Sequence, residues 1–406
     1  MTSTLTRSGL PVLDADPFSP EVLADPLSFQ EQLREAGPVV VLAKYGVYAL
    51  GRYAEVKSAL TDWQSFESGA GVGLTNFRTE KPWRPPSLLL EADPPHHDAP
   101  RSVLAKILGP RQIAQLREAW EADAADLVDT LLARARGGVL EFDGVAELSG
   151  AYPLRVFPDA VGIASEGREN LLPYGDMAFN AFGPHNALVE RDADRVESLS
   201  LWVNAHCARD ALTGTGFGAQ IWEAADRGDI THEQAPLIVR SLLTAGVDTT
   251  VNGIGAFLHA VATHPDAWAR LRREPELIRG AFDETVRVES PVQSFFRTAT
   301  RDVEIGGTII PEGAKLVLFL GSANHDPRRW EDPHIFSLDR DPSGHVGYGF
   351  GIHQCVGQHV ARAEAAAVLG ALARRVKSIE LAGSPVRHLN NTLRSWKSLP
   401  LRMALA

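Results

Sequence analysis

The sequence predicts a mainly α-helical protein with a small β portion, folded as one large domain. Three observations carry this. Helical apolar periodicity dominates from Pro100 to Glu289 and returns after Cys355. Short strand-like runs stand near the N-terminus and again after Pro291. Hydrophobic residues make up 44% and charged residues 22% of the 406, and no shift in composition marks a linker. That is ordinary globular composition. It excludes a disordered chain, a collagen-like repeat and a disulfide scaffold.

The elements follow in order. Residues 1–15 are expected to be a flexible tail. Residues 38–50 read as two short strands around Lys44-Tyr45-Gly46, with a helix from Tyr53 to about Asp62. From Gly69 to Pro95 the chain is too rich in Gly and Pro for long elements, and so long an irregular run is expected to cover a binding site. Helices are expected near 110–135 and 190–212, and a long one from about Ala235 to Thr263, stopped by His264-Pro265. Strands follow at Ser294–Ala299, Val303–Ile305, Thr308–Ile310 and Lys315–Leu320. Then come a coil from Asp326 to Ser343, a Gly-rich loop, and a helix from Cys355 to Arg375.

Charge and cysteine content narrow the function. The net charge of −11 is spread along the chain, which disfavours nucleic acid or an anionic membrane as a partner. Two distant cysteines, Cys207 and Cys355, fit a reducing compartment. The first twenty residues lack an apolar core and no long apolar stretch occurs, so a cytoplasmic protein is expected.

Chemistry concentrates at Cys355, which ends the loop SGHVGYGFGIHQC with glycines at 347, 349, 351 and, just beyond, 357. Glycines admit positive φ and close approach to a flat ligand. A helix N-terminus favours a thiolate. A zinc site would need three more ligands, and only His353 is near. A cysteine hydrolase would need a distant histidine partner. A plain structural cysteine would not require such glycine density. Thiolate ligation of a haem iron fits the loop best.

Three other motifs stand upstream. Ala245-Gly-Val-Asp248-Thr249-Thr250 places an acid beside a hydroxyl in an apolar helix, where Gly246 thins the wall. A threonine merely bonded to the carbonyl four residues back is the plainer reading. Glu284-x-x-Arg287 sets opposite charges on one helix face, with Arg340 of the following coil as a third partner. His97 and Arg101, with Arg297 and His353, supply four cations for two haem propionates; a metal site at His96, His97 and Asp98 is disfavoured because adjacent histidines point to different sides of a helix.

In that order the motifs resemble a soluble bacterial cytochrome P-450, over nearly all of the chain from about Leu10. Tyr348 stands where that family usually has Phe. The resemblance implies a triangular-prism fold, haem b with Cys355 as axial ligand, and monooxygenation with dioxygen. It implies Asp248 and Thr249 as proton donors and Glu284, Arg287 and Arg340 as structural. Electrons would come from an iron–sulfur ferredoxin and an NAD(P)H-dependent ferredoxin reductase, docking near Lys106, Arg111 and Arg362.

In such a protein the substrate lies along the long helix. Ser241, Ala245 and Asp248/Thr249 form one stripe. The eight residues from Ser241 to Thr249 span about 12 Å, which suits one aromatic ring with a polar group at the far end. Arg84, Ser87 and Arg240 would close that end as a carboxylate receptor, and Leu90, Phe179, Phe182, Thr244 and Phe295 would complete the pocket. KPWRPPS (81–87), FNAFGP (179–184), RSLLTAGVDTTVNGIGA (240–256), ESPVQSFFRTAT (289–300) and NNTLRSWKSLP (390–400) are similar to the branch that oxidises para-substituted benzoic acids. The similarity implies O-demethylation of 4-methoxybenzoate to 4-hydroxybenzoate and formaldehyde. Thr244 and Ala178 depart from the serine and valine of close relatives. Two rivals stand beside this reading. A peroxide-driven fatty-acid peroxygenase would lack the acid–threonine pair. A non-catalytic haem-thiolate binding protein would need neither proton donors nor a substrate anchor.

Overall fold

A computed structural model describes residues 9–82 and 84–406, so part of the expected tail (1–8) and Trp83 lie outside the described residues. The molecule is about 50% helix and 15% strand. Residues 12 and 13, within the expected tail, lie in a strand. Val12–Leu13 pairs in parallel with Val40–Leu42 and begins a six-stranded sheet. That sheet continues through Val47–Leu50, Lys315–Phe319, Ser294–Ala299 and Phe66–Glu67. Its two faces bury separate clusters, around Leu50, Val56 and Leu318 on one side and around Leu33, Phe296 and Val317 on the other.

The larger core is helical. Pro110–Leu132 opens on a proline behind Gly109, where a missing N–H costs nothing. It packs along Gln358–Arg375, whose alanine-rich sequence lets the two helices meet closely. The expected helix from Ala235 to Thr263 is two helices, Gln234–Ala245 and Asp248–Thr263. At the break, Gly246-Val247, the chain packs so close to Phe157 that a Cβ on Gly246 would stand 2.2 Å from its ring, and only glycine fits. The final helix starts at Gln358, not Cys355, with Gly357 as its cap. Leu320 leaves its strand and begins a short helix, Leu320–Asn324.

The C-terminal strands were not anticipated. Val376–Leu381 and Pro400–Leu405 join Val139–Asp143 in a three-stranded sheet, and Val386–Leu389 pairs with Arg394–Ser398. Among the described residues no helix is long and apolar enough to cross a membrane.

Candidate active site

One cavity lies between the broken helix pair and the glycine loop, and most of the chemistry-bearing residues meet there. Cys355, Arg101, Arg297 and His353 line it at the loop side; Ala245 and Thr249 line it from the helix pair. Phe179, Phe182 and Phe295 form a wall of edge-to-face rings, with centroids 5.7 and 5.9 Å apart. Arg84, Ser87, Leu90, Arg240, Ser241 and Thr244 line it as well. His97 and Asp248 do not.

Cys355 is a free thiol held by its backbone, whose N–H donates to the Tyr348 carbonyl at 2.7 Å. Burial pushes its pKa up. Amide N–H groups of Gly357 and Gln358 aimed at the sulfur, and the charges of Arg101 and Arg362, oppose that rise. The loop glycines are explained mainly by packing against protein. Gly351 has φ +69°, and a Cβ there would come within 2.7 Å of the Leu60 carbonyl; at Gly347 it would strike Val286 at the same distance. Gly357 differs: a Cβ on it would meet only the Cys355 sulfur, at 3.9 Å.

The cations around the cavity test whether it suits a dianionic planar ligand. Arg297 is 2% exposed, and burial lowers its pKa to about 10 despite the charge of Asp93. Neither Arg297 nor Arg101 forms an ion pair among the described residues, so one buried and one half-buried guanidinium group lack a carboxylate. His97 is buried with Nε2 unpartnered, and its ring centroid lies 4.8 Å from that of His353. His353 is already engaged, with Nδ1 at 3.0 Å from the Leu89 carbonyl and Nε2 at 3.0 Å from Asp93. A sulfur ligand beside two unpaired guanidiniums fits haem iron and its propionates.

Comparison with known proteins decides the family. The sequence model of cytochrome P450 matches residues 209–393. Over 399 residues the chain is 55% identical to cytochrome P450 CYP199A2 of Rhodopseudomonas palustris, covering 98% of this chain and 96% of the relative. The chain belongs to the cytochrome P450 family. Solved P450 structures agree: CYP109Q5 from Chondromyces apiculatus (TM-score 0.79, 30% identity, 97% of this chain and 99% of that one) and CREJ in complex with (4-ethylphenyl) dihydrogen phosphate (TM-score 0.85, 25% identity, 96% and 98%). This P450 is therefore a haem-dependent monooxygenase.

Within the P450, the acid–threonine pair is split. Thr249 faces the cavity, and its hydroxyl donates to the Ala245 carbonyl at 2.9 Å, across the break. Asp248 turns its carboxyl against the helix Leu171–Asn180. Burial, and then the charge of Asp176, raises its pKa well above the usual carboxylate range. Glu284 and Arg287 form a two-pronged pair with both bonds at 2.8 Å, and Arg340 donates to Glu284 at 3.0 Å. Arg287 also donates to the carbonyls of Asn324, Pro333 and Ile335, tying the coil to the helix.

At the far end of the cavity the Ser87 and Ser241 hydroxyl oxygens are 3.3 Å apart. Arg240 donates to the Pro85 carbonyl at 2.7 Å, and Thr244 donates back to the Arg240 carbonyl. Sequence reading missed Glu91, which is 6% exposed, pairs with Arg84 at 3.0 Å and accepts the Ser87 amide at 2.7 Å. Its signal was its place four residues after Ser87 in an apolar run. On the outer face Arg362 is paired with Asp283 at 2.7 Å, while Lys106 and Arg111 are exposed.

Proposed function

We propose that this P450 oxidises the para substituent of small aromatic carboxylic acids, with O-demethylation of 4-methoxybenzoate as the reference reaction. The observation that carries the reading is the polar end of the cavity. Two hydroxyls 3.3 Å apart stand beside Arg240 and Arg84, about two helical turns from Thr249. Glu91 is a third ionised group there. Two guanidiniums and one carboxylate leave one positive charge, which matches one benzoate. The phenylalanine wall would hold the ring flat, so that the para group points at the thiolate end. Such orientation removes several kcal/mol from a barrier. A solved relative in complex with an arene that bears an acid group opposite an alkyl group supports the same substrate shape.

Haem held by Cys355, with Arg101 and Arg297 toward its propionates, supplies oxygen activation when bound. The chain's own residues do the rest. Ser87, Ser241, Arg84 and Arg240 bind and orient the acid. The roof from Gly69 to Pro95 excludes water, and Asp248 and Thr249 hold protons for delivery. Glu284, Arg287 and Arg340 keep the coil beneath the thiolate loop in place. A ferredoxin and its NAD(P)H-dependent reductase would supply electrons, docking over the Cys355 loop.

Titration of the ferric protein with 4-methoxybenzoate tests the substrate class. A Soret shift to high spin, followed by formaldehyde release with a surrogate ferredoxin, is the expected outcome. A Soret band that stays put at saturating acid would leave the family standing and remove the benzoate assignment.

A further inference from the structure

Asp248 stands on the cavity helix, yet its carboxyl lies against the helix Leu171–Asn180. A Cβ on Gly175 would be 1.8 Å from Asp248 Oδ2, so only glycine leaves room for the acid there. That oxygen is buried and has no hydrogen-bond partner. No cation pairs with Asp248 among the described residues. The next residue on the facing helix is Asp176, a carboxylate with a full set of partners. Its Oδ1 accepts from His388 Nε2 at 2.7 Å and from Asn390 Nδ2 at 2.7 Å. Its Oδ2 accepts from Arg191 at 2.5 Å and from Asn180 at 3.4 Å. The His388 side chain, from the hairpin strand Val386–Leu389, is 31% exposed.

These contacts make a path. A solvent-facing imidazole bonds a fixed carboxylate, and that carboxylate stands one residue from Gly175, against which the buried acid lies, with no hydrogen bond closing the last gap among the described residues. We propose that His388 and Asp176 form the proton entry to Asp248, refilling it from solvent on the side away from the substrate. The proposal rests on the reading of Asp248 and Thr249 as proton donors. In each cycle Asp248 gives its carboxylic proton to the cavity through Thr249 and becomes a carboxylate. A proton leaves Nε2 of protonated His388 for Asp176 and then crosses the gap beside Gly175 to Asp248 Oδ2. The imidazole then takes a proton from water, and no electrons move. Asp176 is fitted to this role because its two cationic partners and two amides hold it ionised, burial notwithstanding. Its negative charge in turn favours the protonated form of Asp248.

Infrared difference spectra of the haem-loaded protein against Asp248→Asn isolate the Asp248 carboxyl. Glu364, another buried carboxyl without partners, is common to both samples and cancels. The expected result is a protonated-carboxyl band in the wild type that shifts in D2O. His388→Gln slows that shift by at least about tenfold and raises the solvent isotope effect on coupled turnover. In His388→Ala, added imidazole restores the exchange rate, which a purely structural histidine would not show. An unchanged exchange rate in both His388→Gln and Asp176→Asn, with the Asp248 band present, overturns the route. Fully coupled turnover by Asp248→Asn overturns instead the donor reading beneath it.

Discussion

Glu289 shows how a single charge is placed. Its side chain is 14% exposed and lies 3.0 Å from Arg387 and 3.3 Å from Arg394. Burial alone would raise its pKa, but Arg394, Arg387 and His259 outweigh burial and pull it from 4.5 down to about 2. A carboxylate depressed in the folded state stabilises above its unfolded pKa and loses that contribution as pH falls. The contribution is roughly 3 kcal/mol, present above pH 4.5 and lost as pH falls toward 2. Urea unfolding should therefore show a gap between wild type and Glu289→Gln that is wide at pH 7 and closes through that window; a gap independent of pH would contradict it. In the proposed carboxylate receptor, Ser87 would act through its hydroxyl. Ser87→Ala should weaken 4-methoxybenzoate binding by about tenfold, the worth of one hydrogen bond to a charged group, with haem content unchanged. Equal dissociation constants for the two proteins would remove Ser87 from the receptor.

At the scale of elements, the break between Gln234–Ala245 and Asp248–Thr263 does what a continuous helix could not. It frees the Ala245 carbonyl toward Thr249 and turns Asp248 away from the cavity. Thr249→Ala should still consume NADH but yield less product and more hydrogen peroxide, while Thr249→Ser recovers most of the coupling. Tight coupling in the alanine variant would leave the hydroxyl without a chemical role. Sequence pattern reached the helices on either side of this break because apolar periodicity is local. It did not reach the break, where Phe157 from another helix lies against Gly246 and leaves room for no side chain. The strands from Ser294 to Phe319 were legible for the same local reason: tight turns and β-branched runs bound them. Pro400–Leu405 was not, because its partner Val139–Asp143 lies far away in sequence and nothing near either strand announces the other. The site followed the same rule. Cys355, Thr249 and Arg297 sit in motifs, whereas Glu91 matters only because folding sets its carboxylate on Arg84 and on the Ser87 amide.

Over the whole molecule, the irregular run from Gly69 to Pro95 is bonded to the six-stranded sheet, to the turn at Phe182 and to the loop before Cys355. Phe296 N donates to the Val72 carbonyl, Leu74 N to the Phe182 carbonyl, and Asp93 takes the amides of Ser68 and Gly69 while bonding His353. Lys315 fastens it to the sheet, with Nζ 3.1 Å from the Ala70 carbonyl and 2.6 Å from that of Gly71. Burial, and then Arg297, lowers the Lys315 pKa from 10.5 to about 7, against the opposing charges of Glu67, Glu91 and Glu80. Between those values the unfolded chain holds a proton that the folded one has released, so this residue makes stability rise with pH across the window. Below pH 7 the buried ammonium costs its full amount, yet its N–H groups still hold the roof. Lys315→Met removes both effects at once and leaves the Gly71 carbonyl unpaired, while that of Ala70 keeps the Phe77 amide. The variant should lose the rise in stability between pH 7 and 9, read from urea unfolding. Its amides from 70 to 74 should exchange hydrogen faster, and benzoate should enter and leave more quickly at similar affinity. A variant with the wild-type pH slope and protected amides would show that the other fastenings carry the roof without Lys315.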